Sequence, residues 1–170
     1  MMIFVENSNL TGHAVESTIS SVTISQYYAI SMSNNLSAGI GFGTKDSTSQ
    51  TDINATANYL YSNESEYYMQ VSSDSNTAVD FTIYADGPMN TSGGDEIGVG
   101  NESFYYVKTT TSISAPDVSN EISLTTSPQA AGTEVAIGDN VYYRFWLDIP
   151  AGTPVGEYNN TISVEGVNAA

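Results

Sequence analysis

Five apolar residues near the end of the chain alternate strictly with others: Val141, Tyr143, Phe145, Leu147 and Ile149. A side-chain period of two belongs to a β-strand with one buried face. The same period recurs throughout. Val22 and Ile24, then Tyr28, Ile30 and Met32, read as strand residues. So do Tyr67, Met69 and Val71, and so do Val79, Phe81 and Ile83 set against Asp80, Thr82 and Tyr84. Residues 104–108 and 122–126 are further expected strands. Residues 38–43 read as a short strand or a close backbone approach. Residues 44–65 read as a long polar connection, with a helical turn as the alternative for 53–61. Residues 85–100 read as a loop, on Asp86-Gly87-Pro88 and Gly93-Gly94, and residues 127–132 as a turn. Helical periodicity is scarce.

The closing segment adds punctuation. A strand ends at Ile149, Pro150-Ala151-Gly152 turns, and Pro154-Val155-Gly156-Glu157-Tyr158 forms a Pro-x-Gly-x-Tyr corner before a last strand carrying Ile162 and Val164. About eight to ten short strands with turn signals between them predict an all-β fold, an antiparallel β-sandwich of Ig-like or jelly-roll type. The chain of 170 residues suits one such domain. The expected division is an N-terminal extension over residues 1–12 and a single sandwich over 13–170.

Charge narrows the partners. Lys45, Lys108 and Arg144 are the only Lys or Arg, and 19 acids leave a net charge of −16. Nucleic acid and anionic membrane surfaces both need clustered cations, so neither is an expected partner. No stretch approaches the roughly 20 apolar residues of a membrane-spanning helix. Polarity comes instead from 23 Ser, 18 Thr and 15 Asn, a bias common on extracellular surface proteins, and the absence of Cys means a fold without disulfides. The apolar run at the start ends at Glu6, short of a secretory signal. A processed chain, or a start inside a longer precursor, is therefore expected.

Seven N-x-S/T sequons occur, at Asn9, Asn35, Asn54, Asn63, Asn90, Asn101 and Asn159. That is roughly twice what composition alone yields, and each is a candidate N-glycosylation site. Asp86, Asp95, Glu96, Asp139 and Asp148 offer loop oxygens of the kind calcium takes, but no Asp-x-Asp-x-Asp-Gly spacing occurs. With His13 as the sole histidine, a zinc site has too few ligands and a catalytic triad has no support. The expectation is a protein with no cofactor and no enzymatic activity, calcium being the one ion these acids suit. Four tyrosine doublets, 27–28, 67–68, 105–106 and 142–143, place one ring on each face of a strand. The outer rings, with Trp146, could stack on a sugar or pack on a neighbour, although strand propensity alone accounts for them.

The run from Tyr142 through Asp148-Ile149-Pro150 to Tyr158 and Thr161 resembles the closing hairpin of secreted archaeal β-sandwich proteins, and residues 71–81 resemble the same group. Some of these build extracellular filaments: bundling pili related to the biofilm-fibre protein TasA, and glycosylated threads. The resemblance implies that each subunit donates an N-terminal strand to the next. Met1, Met2, Ile3, Phe4 and Val5, followed by a polar linker to Gly12, stand at the matching position. An apolar strand on a tether pairs with its own sheet or extends a neighbour's.

The resulting expectation is a structural subunit of an extracellular homopolymer, a pilus or thread joined head to tail by residues 1–5. The alternatives are a surface-layer or adhesin-type glycoprotein module, in which residues 1–5 pair within their own subunit, and a carbohydrate-binding module.

Overall fold

The computed structural model describes residues 19–46, 49–60, 66–108 and 118–169. In chain order the elements are β1 (Ile30–Met32), α1 (Asn34–Ala38), β2 (Gln50–Asn54), β3 (Tyr68–Val71), β4 (Val79–Ala85), β5 (Met89–Asn90), β6 (Glu96–Ile97), β7 (Glu102–Lys108), β8 (Ile122–Ser123), β9 (Gln129–Val135), β10 (Asn140–Ile149) and β11 (Ile162–Asn168). The protein is mostly β, and every strand pair is antiparallel. The N-terminal extension at residues 1–12, with Met1, Met2, Ile3, Phe4, Val5 and Asn9, lies outside the described residues, as do His13 and Asn63.

The larger sheet runs β1-β3-β10-β7-β8. Its centre is β10, which carries the strictly alternating apolar residues from Val141 to Ile149. One edge of β10 pairs with β7 from Val141↔Lys108 to Leu147↔Glu102. The other is shared: β3 takes the first part and β2 the last. The smaller sheet is β11-β4-β9, and β5 with β6 makes a separate two-residue hairpin.

The core lies between the two sheets. Val141, Tyr143 and Phe145 of β10 and Phe104 of β7 pack in one cluster with Val79, Phe81 and Ile83 of β4. Each fully buried side chain of this size contributes roughly 1.5–3 kcal/mol by leaving water. Tyr143 also bonds across the gap, its hydroxyl donating to the Ala131 carbonyl of β9 at 2.9 Å. Tyr67 meets Phe145 edge to face at 5.5 Å.

Five expectations are corrected, the first being the loop at 85–100, which carries the β5–β6 hairpin. Only the last three residues of 20–32 form a strand; residues 19–29 belong to no regular element. The glycine-bearing stretch is preceded by a one-turn helix, α1, whose start is capped by Ser33 Oγ accepting from the Leu36 N–H at 3.2 Å. The long connection contains a strand, β2, and a strand, β9, covers most of the expected turn at 127–132. Ala130, Ala131 and Gly132 gave β9 the look of a turn. Ala131 and Gly132 are buried, and at Gly132 the core is close: a Cβ there would sit 3.2 Å from Val141 Cγ2 and 3.3 Å from Val135 Cγ2.

Candidate functional site

The two edges of the smaller sheet differ. The β9 edge is blunted: its register against β4 shifts twice, and Glu134 has φ +49°. Its polar groups are also engaged. The Glu134 N–H donates to Asp80 Oδ1 at 2.6 Å, and the Ala131 and Thr133 carbonyls accept from Tyr143 and Lys108. Bulges and capped groups of this kind stop a sheet from recruiting further strands.

The β11 edge has no bulge, and its capping is confined to the Gly166 end. It runs in unbroken register with β4, from Ile162↔Ala85 to Asn168↔Val79. The Asp86 N–H donates to the Thr161 carbonyl at 2.9 Å. Alternation along an antiparallel pair then turns the backbone groups of Ser163, Glu165 and Val167 toward β4. Those of Ile162, Val164 and Gly166 face the other way. One outward group is taken: the Gly166 carbonyl accepts from the Tyr28 hydroxyl at 2.8 Å. No strand pairs with this side of β11 among the described residues.

Ile162 and Val164 share the face of β11 that lies over the core, opposite Ala85 and Ile83. Ala85 and Ile83 are fully buried, yet Ile162 and Val164 are only half-buried. The reason is a groove. A cleft of about 370 Å³ lies between them and Met32, Leu36 and Ile40. It adjoins a second cleft of about 600 Å³ floored by Phe42, Ile97, Leu147 and Ile149. Ile40, Met89 and Tyr158 line both. The Pro-x-Gly-x-Tyr corner shapes this junction, since the Tyr158 hydroxyl donates to the Pro154 carbonyl at 2.9 Å.

One charged group lines the smaller cleft. Glu102 is 2% exposed, and its Oε2 accepts from Asn160 Nδ2 at 2.5 Å. Burial raises its pKa from the ordinary glutamate value, the Asn160 bond opposes that, and the charge of Asp86 adds to the rise. Nothing in the sequence marked Glu102, because its burial depends on partners some 60 residues away.

The far end of β11 is anchored differently. Asn168 Nδ2 donates to Gln26 Oε1 at 2.9 Å, and Ile30 occupies the space where Gly166 has no side chain. Asn76 clasps the same segment. Its Oδ1 accepts from the Tyr27 N–H at 2.7 Å, its own N–H donates to the Tyr27 carbonyl at 2.9 Å, and its Nδ2 donates to the Ser25 carbonyl at 3.0 Å. The chain therefore approaches the body at the Asn168 end, whereas the groove opens at the Ile162 end. Seven strand residues separate the two by about 20 Å.

The sequons fall in different settings. Asn54, Asn90 and Asn159 are exposed, while Asn35 and Asn101 are half-buried. Asn90 and Asn159 face each other in an antiparallel bridge with N···O distances of 2.8 and 3.1 Å. Asn54 Oδ1 accepts from Arg144 at 2.8 Å, and the hydroxyl of the Asn101 sequon, on Ser103, is buried and bonded to Glu121.

The loop acids cap backbone instead of converging. Asp86 Oδ1 accepts from the Thr161 N–H at 2.9 Å, and Asp148 Oδ1 from the Asp52 N–H at 2.8 Å. Among the described residues no three His, Asp or Glu come together as a metal would require. The outer aromatics form no open row: Trp146 is 1% exposed beneath Arg144, and Tyr59 stacks on Tyr142 at 4.3 Å, whereas Tyr27 is 56% exposed.

Compared with protein-family models and with curated proteins, the chain matches none.

Proposed function

We propose that this chain is a non-enzymatic structural subunit of an extracellular filament. Copies join head to tail, and the segment Met1, Met2, Ile3, Phe4 and Val5 of one copy enters the apolar groove of the next, in the larger cleft floored by Phe42, Ile97, Leu147 and Ile149. Ile3 and Val5, or Met2 and Phe4, fill apolar slots there.

The observation that carries this reading is the placement of two features on one strand. An open apolar groove lies at the Ile162 end of β11, and the N-terminal side of the chain approaches at the Asn168 end. A contact between unlike, separated surfaces does not close on itself, and it generates a fibre. An extended segment suits such a groove because its pockets take alternate side chains. The Tyr158 corner favours an Ig-like sandwich over a jelly roll. The sequons at Asn54, Asn90 and Asn159, being exposed, are the better glycan acceptors.

Deleting residues 1–12 tests the reading. The truncated chain is expected to stay monomeric in light scattering and to form no threads under negative stain. Threads of normal length from that chain would refute the donor assignment.

A further inference from the structure

A second apolar segment lies on the N-terminal side of β1. Ile19 is 93% exposed, Val22 84% and Ile24 79%, so three of the most exposed large apolar side chains among the described residues fall within six positions. Val22 and Ile24 keep the period of two that Tyr28 and Ile30 continue, yet no sheet of their own chain includes them. They cannot reach their own groove without reversing direction, because the Asn76 clasp fixes the chain at Ser25 and Tyr27, beyond the opposite end of β11.

We propose that residues 19–24 of one copy add as a strand to the outer edge of β11 in the next, with Val22 and Ile24 covering Ile162 and Val164. This rests on the head-to-tail reading and deepens it by naming a second element of the junction. Residues 1–5 would occupy the larger cleft and residues 19–24 the smaller one.

Three observations converge on a second copy as the occupant. The outward N–H and C=O groups of Ile162 and Val164 face no paired strand among the described residues, and a stretch rich in β-branched residues, Ile19-Ser20-Ser21-Val22-Thr23-Ile24, can supply one. That stretch carries no charge, so it docks on a body of net charge −16 without adding repulsion. Along β11, the chain's own Tyr28 and Ile30 already cover Gly166. Among the described residues, none covers the outer edge of the Ile162–Val164 part, which an incoming strand can take.

The absence of Cys allows a clean test. One batch carries Val22→Cys and another Val164→Cys. The two are mixed and oxidised, and a disulfide-linked heterodimer is expected on non-reducing gels. No cross-link above that of a control pair, Val22→Cys with Val155→Cys, would overturn the proposal. A second arm uses Val22→Asp with Ile24→Asp, exposed positions whose change should leave the monomer's thermal midpoint in place. Loss of threads supports the proposal, and unchanged threads sink it. If threads survive deletion of residues 1–12 but not the aspartates, the first donor assignment fails and this one stands. If they survive the aspartates but not the deletion, this assignment fails and the first stands. Failure of both variants to assemble supports both segments.

Discussion

The Tyr28 hydroxyl donates to the Gly166 carbonyl at 2.8 Å, joining residues 138 positions apart and sealing the distal half of the β11 edge. It is a hydrogen bond from a part-buried side chain to an otherwise outward-facing carbonyl. Tyr28→Phe is expected to cost about 1 kcal/mol. Urea denaturation should show a lower midpoint with an unchanged slope. An unaltered midpoint would mean that water replaces the hydroxyl without loss.

Gly166 is small because Ile30 needs its space. A Cβ there would lie 3.0 Å from Val79 Cγ1 and 3.1 Å from Ile30 Cδ1. Gly166→Leu should therefore destabilise by about 1–3 kcal/mol through overpacking. Adding Ile30→Ala should recover part of that loss, since contacting sites couple. Strict additivity in the double mutant would show that the two do not share the space.

Tyr143 ties the sheets together, so its hydroxyl matters beyond its ring. Tyr143→Phe leaves the Ala131 carbonyl without this partner and should cost about 1–3 kcal/mol. Burial, with Tyr106 adding, pushes the phenol well above its ordinary pKa. Absorbance near 295 nm should accordingly show Tyr143 ionising only as the protein unfolds in alkali. Titration of every tyrosine in the folded state would contradict this.

Glu102 sets a pH dependence of definite sign. Its folded pKa lies above the unfolded value, chiefly through burial. Between those two values the folded state holds the extra proton, so this group's contribution declines as pH rises through the window and is then constant. Asp86 acts in the opposite sense: the Thr161 N–H lowers its pKa, and its contribution fades as pH falls through the folded value. Glu102→Gln should raise the thermal midpoint over the native chain at pH 7 and lose that advantage below the ordinary carboxylate range. An advantage independent of pH would assign the effect to packing instead of charge.

Much of the fold was legible because its central strands carry both signals at once. In β4 the period of two coincides with burial residue by residue, and in β10 it does so everywhere except at the buried Trp146. The tyrosine corner was legible as a spacing, and Tyr158 fulfils it with a bond to Pro154. The turn reading of β9 failed because small residues serve close packing as well as turning. The single turn of α1 is too short to display a helical period. Residues 22–24 have a strand's alternation without a strand's pairing, because alternation records a face to be covered and not the molecule that covers it. The groove was illegible for another reason. Ile40 and Tyr158 come from separate connections and Met89 from the short strand β5, and only the folded chain brings them to one place.

The contrast between a guarded β9 and a β11 left open at its Ile162 end gives any thread built through these surfaces a direction. One tip would always present a vacant slot, and the other an undocked donor. A defective copy with a ruined slot but an intact donor could still board the slot-bearing tip, and would then halt extension there. Small doses of such a copy would act as a length regulator, shortening threads in proportion to its share of the pool while leaving their thickness alone.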